Sequence, residues 1–154
     1  MTMEYLSTST VKNIRRAASA AEYPVIIEIW ERSVRATHDF LTEETICEIK
    51  KALPSEYLPN VDIFVIEENS TPIGFIGLCG DSIEMLFIDS AQRGRGFGSA
   101  LIEFAAKRGA RKVDVNEQNN EAFEFYRAKG FRTIGRDATD EAGRPYPLLH
   151  LLRE

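Results

Sequence analysis

The sequence predicts a single α/β domain, in which a mixed, mostly antiparallel central sheet carries helices on both faces. Three observations support this fold class. The chain has 154 residues and 44% hydrophobic content, which is enough for one core but leaves little for a second domain. Short apolar runs typical of strands alternate with segments of helical periodicity. A glycine-rich turn joins a central strand to a helix. We expect one domain over residues 11–154, preceded by a disordered polar tail, residues 1–10.

The N-terminal part of the domain predicts one strand and two helices. Residues 13–17 form a first short strand, and Ser19 and Glu22 have the spacing of a capping box before a helix. Apolar residues at helical spacing continue that helix to about Ala36. A second helix is expected to start after Thr42 and to run through Leu53 to a stop at Pro54.

The remaining elements begin with a hairpin. Two apolar runs, residues 61–66 and 73–78, flank a turn-rich stretch that contains Asn69 and Pro72, and they predict antiparallel strands. The central strand follows at residues 83–89. The later elements are a helix that Gly109 ends, a strand at 112–115, a helix at 121–128, and strands at 131–134 and 146–152.

The most informative stretch is the turn Arg93-Gly94-Arg95-Gly96-Phe97-Gly98-Ser99 after the central strand. Glycines let the backbone pass close to a ligand, and the free amides and dipole of a helix start favour an anion such as pyrophosphate. The Rossmann spacing fails, because its third glycine is replaced by Ser99 or Leu101, and the lysine of a P-loop is absent. The spacing that fits is R-x-x-G-x-G, from Arg93 to Gly98.

A second motif stands further along the chain and reads N-x-x-A-x-x-F-Y-x-x-x-G-F, from Asn119 to Phe131. In this order, the two motifs resemble those of the GCN5-related N-acetyltransferases, the GNAT family. The resemblance extends from about Ile14 to the C-terminus and is greatest to small bacterial members. It implies the GNAT fold and an acetyltransferase that moves acetyl from acetyl-CoA directly to a primary amine of a small molecule or peptide, within a ternary complex.

The resemblance also implies where coenzyme A binds. The main-chain amides of the glycine turn would hold the pyrophosphate, and Asn119 would contact the pantetheine arm. A main-chain amide near Phe87, at a bulge that the family has in this strand, would face the thioester carbonyl. The residues expected to bind the donor are Phe87, Ile88, Arg93, Gly94, Arg95, Gly96, Phe97, Gly98, Ser99, Asn119 and Tyr126. The alternative is that the glycines only make a tight turn.

Three side chains are candidates for proton transfer. The resemblance places Tyr126 beside the thioester sulfur, where a phenol can protonate the leaving thiolate. Glu84 is the first choice for general base, because it interrupts an apolar strand and related enzymes often have a carboxylate there. His38 is the second choice, because imidazole titrates near neutral pH. The alternatives are that Tyr126 only packs in an aromatic cluster, that Glu84 only faces solvent and that His38 bonds a helix end.

Composition argues against several other classes of function. A formal charge of −5 and a pI near 5.2 disfavour nucleic-acid binding, and no segment has the length and apolar character of a membrane span. Cys47 and Cys79 predict core thiols in a reducing cytoplasm, and the scattered histidines and cysteines predict no metal site. Asp137, Asp140 and Glu141 could attract a cationic acceptor. The sequence allows a monomer or a homodimer.

Two other functions remain open at this point. A regulatory or sensory module that binds coenzyme A with negligible turnover would need the turn but no general base. A nucleotide-binding protein would use the glycine turn for ATP, although the lysine and the metal-binding acid of such sites are missing.

Overall fold

The computed structural model describes residues 12–154, so the predicted disordered tail lies outside the described residues. A seven-stranded sheet has the strand order β1-β2-β3-β4-β5-β7-β6. Its strands are β1 (Lys12–Arg16), β2 (Asp62–Glu68), β3 (Thr71–Cys79), β4 (Ser82–Ile88), β5 (Lys112–Asn116), β6 (Arg132–Asp137) and β7 (Leu148–Leu152). The helices are α1 (Tyr23–Thr37), α2 (Glu43–Ala52), α3 (Phe97–Lys107) and α4 (Asn120–Ala128). The predicted α/β fold class is confirmed.

The sheet consists of two antiparallel parts that meet at one short parallel contact. Strands β1 to β4 pair antiparallel in sequence order, and β7 lies antiparallel between β5 and β6. Between them, β4 and β5 pair in parallel only at Ser82 with Lys112 and at Ile83 with Val113. Beyond Ile83 the two strands no longer pair, which leaves a cleft between the halves of the sheet.

The hairpin of β2 and β3 forms where the sequence predicts it. Asn69 and Ser70 both have positive φ, 50° and 68°, which is the backbone of a type I′ turn and matches the twist of the two strands. Side chains alternate across β3, so that Phe75 faces one side of the sheet and Ile76 the other. Strand β3 therefore contributes to two separate hydrophobic cores.

Each face of the sheet is covered by its own helices. Helix α1 buries Ile29 and Trp30 on the face that carries Phe75, and α2 packs on the same face. Helix α3 buries Leu101 and Ile102 on the opposite face, where Tyr126 of α4 also packs. Apolar burial on both faces stabilises the sheet.

Two local departures from the predicted elements have simple causes. Helix α2 ends at Ala52, but the chain continues past Pro54 in a wider turn, Leu53–Tyr57, in which the Leu58 N–H donates to the Leu53 carbonyl. Proline has no N–H, so Pro54 cannot extend the hydrogen-bond ladder of α2. The bond from Leu58 to Leu53 spans five residues instead of four, as in a π-helical turn. Val25, one of the apolar residues from which the helical spacing of α1 was predicted, is exposed rather than on the core face. Within residues 12–154, none of the helices has the length and apolar character needed to cross a membrane.

Candidate active site

Two cavities lie on either side of the end of β4, and Phe87 lines both of them. The first, of about 670 Å³, opens between the glycine turn, β4 and α4. Ten of the eleven predicted donor-binding residues line it, and so does the candidate base His38. Those ten are Phe87, Ile88, Arg93, Gly94, Gly96, Phe97, Gly98, Ser99, Asn119 and Tyr126.

The glycine turn forms an open cradle at the start of α3. Gly94 and Gly96 have φ of 78° and 87°, a left-handed conformation that other residues adopt at a cost, and Gly96 precedes the first residue of the helix. Apart from its neighbours in the chain, none of residues 12–154 would have an atom within 4 Å of a Cβ at Gly96. Gly98 has a different role, because a Cβ there would lie 3.2 Å from the Phe125 ring, so glycine permits α3 and α4 to pack closely.

The two arginines of the turn have different surroundings. Arg93 forms an ion pair with Glu121 at the start of α4 and is the one cation among the described residues that line this cavity. Arg95 instead pairs with Glu68 of β2 at 2.6 Å and stacks on the Phe97 ring, outside the lining of the cavity. An incoming anion can therefore replace Glu121 as the partner of Arg93. The Arg95 side chain instead stabilises the turn through its contacts with Glu68 and Phe97.

Tyr126 lies on α4, packs in the core and lines the first cavity. The ring packs edge-on against Phe125 and Phe131. Burial raises the pKa of Tyr126 well above its usual value, so the phenol keeps its proton at working pH.

His38 and Asn119 meet across the first cavity. Asn119 caps α4 by accepting the Ala122 N–H at its side-chain oxygen, and its Nδ2 lies 3.3 Å from Nε2 of His38. Nδ1 of His38 lies 2.7 Å from the Thr37 hydroxyl. Burial lowers the pKa of His38 to about 4, so the imidazole is neutral near pH 7.

The second cavity, of about 510 Å³, lies on the other side of β4 and contains Glu84. Its walls combine apolar side chains such as Trp30, Leu53 and Met85 with carboxylates. Partial desolvation of Glu84, together with the nearby carboxylates of Glu141 and Asp114, raises the pKa of Glu84 above its usual value. The raised pKa brings this carboxylate closer to the range in which a general base works.

The bulge in β4 lies at Glu84 rather than near Phe87, where it was expected. Ile83 pairs with Leu78 and Met85 with Gly77, so Glu84 is the extra residue, whereas Leu86 to Ile88 pair regularly with β3. The bulge turns the Glu84 side chain into the second cavity. Because β4 pairs with β5 only as far as Ile83, its following edge is free of ladder pairing toward the first cavity.

The loop between β6 and β7 reaches over to α2 beside the second cavity. Arg144 pairs with Asp140 at 3.1 Å and with Glu48 of α2 at 2.6 Å, and the Tyr146 hydroxyl lies 3.2 Å from that of Thr45. Asp140 and Glu141 line the cavity. Asp137 does not. An Asp137 carboxylate oxygen lies 2.7 Å from Nε2 of His150, and an Asp114 carboxylate oxygen lies 2.7 Å from Nδ1. His150 of β7 therefore links the neighbouring strands β5 and β6.

Both cysteines differ from the prediction that they are core thiols. Cys47 and Cys79 are exposed, because Cys47 lies on the outer face of α2 and Cys79 at the last residue of β3. They remain free thiols. Over residues 12–154, no group of three or more histidine, cysteine or acidic side chains has an arrangement that could hold a metal ion.

Several lining residues were not found from the sequence. Ser33 and Thr37 of α1 and Gln92 before the turn line the first cavity, and Tyr57 and Asn116 line the second. Ser33 and Thr37 lie one turn apart, on a helix whose periodicity predicts only a core face. Their role depends on which element packs beside them, and the periodicity carries no signal for that.

Comparison with known proteins gives consistent results. The acetyltransferase (GNAT) domain family matches residues 59–133. A curated relative, peptidyl-lysine N-acetyltransferase YjaB of Salmonella typhimurium, is 42% identical over 91% of this chain and 97% of its own length. The solution structure of apo YjaB from Escherichia coli has a TM-score of 0.84 at 41% identity, covering 92% of this chain and 97% of that one. The Thermoplasma acidophilum PaiA N-acetyltransferase in complex with coenzyme A shares the fold, with a TM-score of 0.71 at 22% identity, over 94% of this chain and 99% of that one.

The first prediction concerns Gly96. Gly96→Ala should weaken binding of coenzyme A by about tenfold or more, or about 1.4 kcal/mol, because the new Cβ projects into the cradle and the left-handed backbone is strained. Calorimetric titration with coenzyme A measures this.

Gly109→Ala is the matched control. Gly109 has φ of 89°, equally open space and no place in the cavity lining. Both substitutions should cost about 1–2 kcal/mol of unfolding free energy. Equal losses of coenzyme A affinity in the two variants would contradict the assignment of the cradle.

Proposed function

The chain belongs to the GNAT family of N-acetyltransferases, and we propose that it transfers acetyl from acetyl-CoA to the side-chain amine of lysine in a peptide or protein. The observation that carries the proposal is the pair of cavities that meet at Phe87: one contains an anion cradle and the other contains carboxylates. A donor and an amine can occupy them together, which supports direct transfer in a ternary complex. Enzymatic relatives favour turnover over a purely regulatory role.

The donor site is formed by the glycine turn and the two walls of the first cavity. The main-chain amides from Gly94 to Ser99 and the Arg93 side chain would hold the pyrophosphate. Phe87 and Ile88 would contact the pantetheine arm, and the Asn119 oxygen keeps a second lone pair for a pantetheine amide. Arg95 would contribute its main-chain amide only, since its side chain pairs with Glu68. Acetyl-CoA supplies an acetyl group that is already activated as a thioester.

Glu84 is the proposed general base. A lysine amine is mostly protonated near pH 7, and it must lose a proton before nitrogen can form a bond to the acetyl carbon. Glu84 lies in the acceptor cavity with a raised pKa, which suits it to accept that proton directly or through water. His38 is disfavoured in this role, because its Nε2 lone pair faces an amide donor and its pKa is lowered to about 4.

Tyr126 is the proposed general acid. As the carbon–nitrogen bond forms and the carbon–sulfur bond breaks, the departing sulfur takes the proton of the Tyr126 phenol, and Tyr126 lines the cavity in its protonated form. The attacking nitrogen gives up its remaining surplus proton, which restores the phenol. The burial that raises the pKa of the phenol would also raise that of a thiol at the same spot, so the transfer stays nearly balanced. A main-chain amide on the unpaired edge of β4 beyond Ile83 is the proposed donor to the carbonyl oxygen.

The acceptor cavity is suited to a long cationic side chain. Apolar walls such as Trp30 and Met85 can contact the methylenes of lysine, and Glu84, Glu141 and Asp114 attract its ammonium group. The curated relatives named as peptidyl-lysine acetyltransferases support a peptide acceptor. The two free cysteines fit a reducing compartment, and we place the reaction in the cytoplasm.

Acetylation of a lysine peptide tests the proposal. Incubation with acetyl-CoA and a peptide that carries one lysine should release free thiol and add one acetyl group, measured by mass spectrometry. A peptide with arginine in place of lysine is the control and should give no release. Thiol release with polyamines but not with the peptide would overturn the lysine assignment. Tight binding without release on any amine would favour the regulatory module.

Removing the Tyr126 hydroxyl should affect chemistry rather than binding. Tyr126→Phe should lower kcat by about 10²-fold and leave the affinity for acetyl-CoA unchanged, because the ring still packs but the proton donor is gone. Steady-state kinetics and calorimetric titration measure the two effects. Tyr23→Phe, which removes a hydroxyl outside both cavities, should behave as the wild type. Full turnover in Tyr126→Phe would rule out the acid role.

The pH dependence of the reaction tests Glu84. In the wild type, kcat/KM should rise with pH as Glu84 ionises, in a step above the ordinary pKa of a glutamate since the pKa is raised. Glu84→Gln should remove that step and lower kcat/KM by about 10²-fold near neutral pH. Glu28→Gln, at an exposed position of α1, is the control and should keep the wild-type profile. A profile in Glu84→Gln that retains the step would assign it to another group.

A further inference from the structure

We propose that His38 is a positioning residue: as a neutral Nδ1–H tautomer, it accepts a hydrogen bond from Asn119 and so holds the start of α4 against the β4 side of the cleft. Helix α4 carries Tyr126, so the hydrogen bond between His38 and Asn119 helps to fix the position of the Tyr126 phenol. The proposal rests on the proposed function only in that Tyr126 is taken as the acid. We call the contact between His38 and Asn119 the cross-cleft bond.

The orientation of the Asn119 amide is fixed by its helix. The Ala122 N–H donates to Oδ1 of Asn119 at 3.1 Å, so the oxygen has to be the atom that faces the helix. The other end of the amide, Nδ2, therefore faces Nε2 of His38 at 3.3 Å. An amide nitrogen can only donate, so Nε2 is the acceptor and carries no proton.

The other ring nitrogen completes the assignment. With Nε2 unprotonated, the proton of the neutral ring is on Nδ1, which donates to the Thr37 hydroxyl oxygen at 2.7 Å. The Thr37 hydroxyl in turn donates to the Ser33 carbonyl at 2.8 Å. Each hydrogen donated in this series of hydrogen bonds has one acceptor. The last turn of α1 and the first turn of α4 are thus joined through one imidazole.

A protonated ring is incompatible with the same contacts. It would place an N–H at Nε2 against the amide N–H of Asn119. The neighbours of the ring are the aromatic side chains of Phe40 and Phe87, with centroids at 5.3 Å and 6.4 Å, and the nearby charge is that of Asp39. Burial outweighs the opposing effect of Asp39 and lowers the pKa of His38 to about 4. The ring is therefore a hydrogen-bond acceptor and a poor proton carrier.

The cross-cleft bond matters because the sheet does not join its halves at this level. Strands β4 and β5 stop pairing after Ile83 and Val113. His38 follows α1, which packs on β4, whereas Asn119 follows β5. The bond therefore spans the open part of the cleft, at the wall of the cavity that also contains Tyr126.

Two substitutions at His38 separate positioning from proton transfer. Glutamine can place an amide oxygen near the position of Nε2 and accept the Asn119 N–H, but it cannot act as a base. His38→Gln should keep kcat within about threefold of the wild type, whereas His38→Ala should lose about tenfold or more, because loss of orientation is costly at a reacting centre. The KM for acetyl-CoA should change less than kcat in both variants. Equal, large losses in both variants would indicate a base, and full activity in both would overturn the positioning role.

Nitrogen-15 NMR of the histidine rings tests the tautomer without reference to acetyl transfer. The chain has only two histidines, His38 and His150. His38 should show the Nδ1–H tautomer and stay neutral down to about pH 4, whereas His150, held between two carboxylates, should titrate above its usual pKa. An Nε2–H tautomer or an ordinary titration at His38 would overturn the proposal, even if the enzyme is active.

Asn119→Asp gives a matched change at the other partner. Aspartate can keep the cap of α4 by accepting the Ala122 N–H, but it presents an acceptor oxygen to Nε2 instead of a donor. The pKa of His38 should therefore rise in Asn119→Asp, by the same NMR titration, because the protonated ring would now have a partner. An unchanged titration would show that Asn119 does not contact the ring.

Discussion

The structure depends on one feature of the sheet: β4 and β5 pair in parallel over only two residue pairs and then separate. Separation leaves main-chain groups of β4 without a strand partner, which is costly unless another group or a ligand satisfies them. Both cavities adjoin this cleft. Helices α1 and α3 pack on opposite faces of the sheet and bury a separate hydrophobic core on each.

Burial affects the candidate groups in ways that follow from their charge. It disfavours the charged form of each, so it raises the pKa of Tyr126 and Glu84 and lowers that of His38. The phenol consequently keeps its proton, the carboxylate gains basicity and the imidazole stays neutral. One physical cause thereby supports three different proposed roles: an acid, a base and a hydrogen-bond acceptor. At Glu84, the nearby carboxylates of Glu141 and Asp114 raise the pKa further.

The sequence by itself determined the fold class, the order of the elements and most of the proposed donor site. Local chemistry encodes these features: apolar periodicity specifies strands and helices, and the backbone freedom of Gly94 and Gly96 specifies a cradle wherever a strand leads into a helix. The residues of the R-x-x-G-x-G motif are neighbours in the chain, so they are neighbours in space. Tyr126 could be placed for the same reason, because its helix lies within the second contiguous motif.

Only the tertiary structure decided which distant residues meet. The register of β3 and β4 puts the bulge at Glu84. The side chain of Arg95 pairs with Glu68, which is distant in sequence, and therefore lies outside the cavity lining. The exposure of both cysteines, too, depends on which face of an element a neighbour covers. The contact between His38 and Asn119 joins residues 81 positions apart, and it follows from how α1 and α4 pack around the cleft. Side-chain partners and desolvation depend on three-dimensional proximity, which local periodicity does not encode.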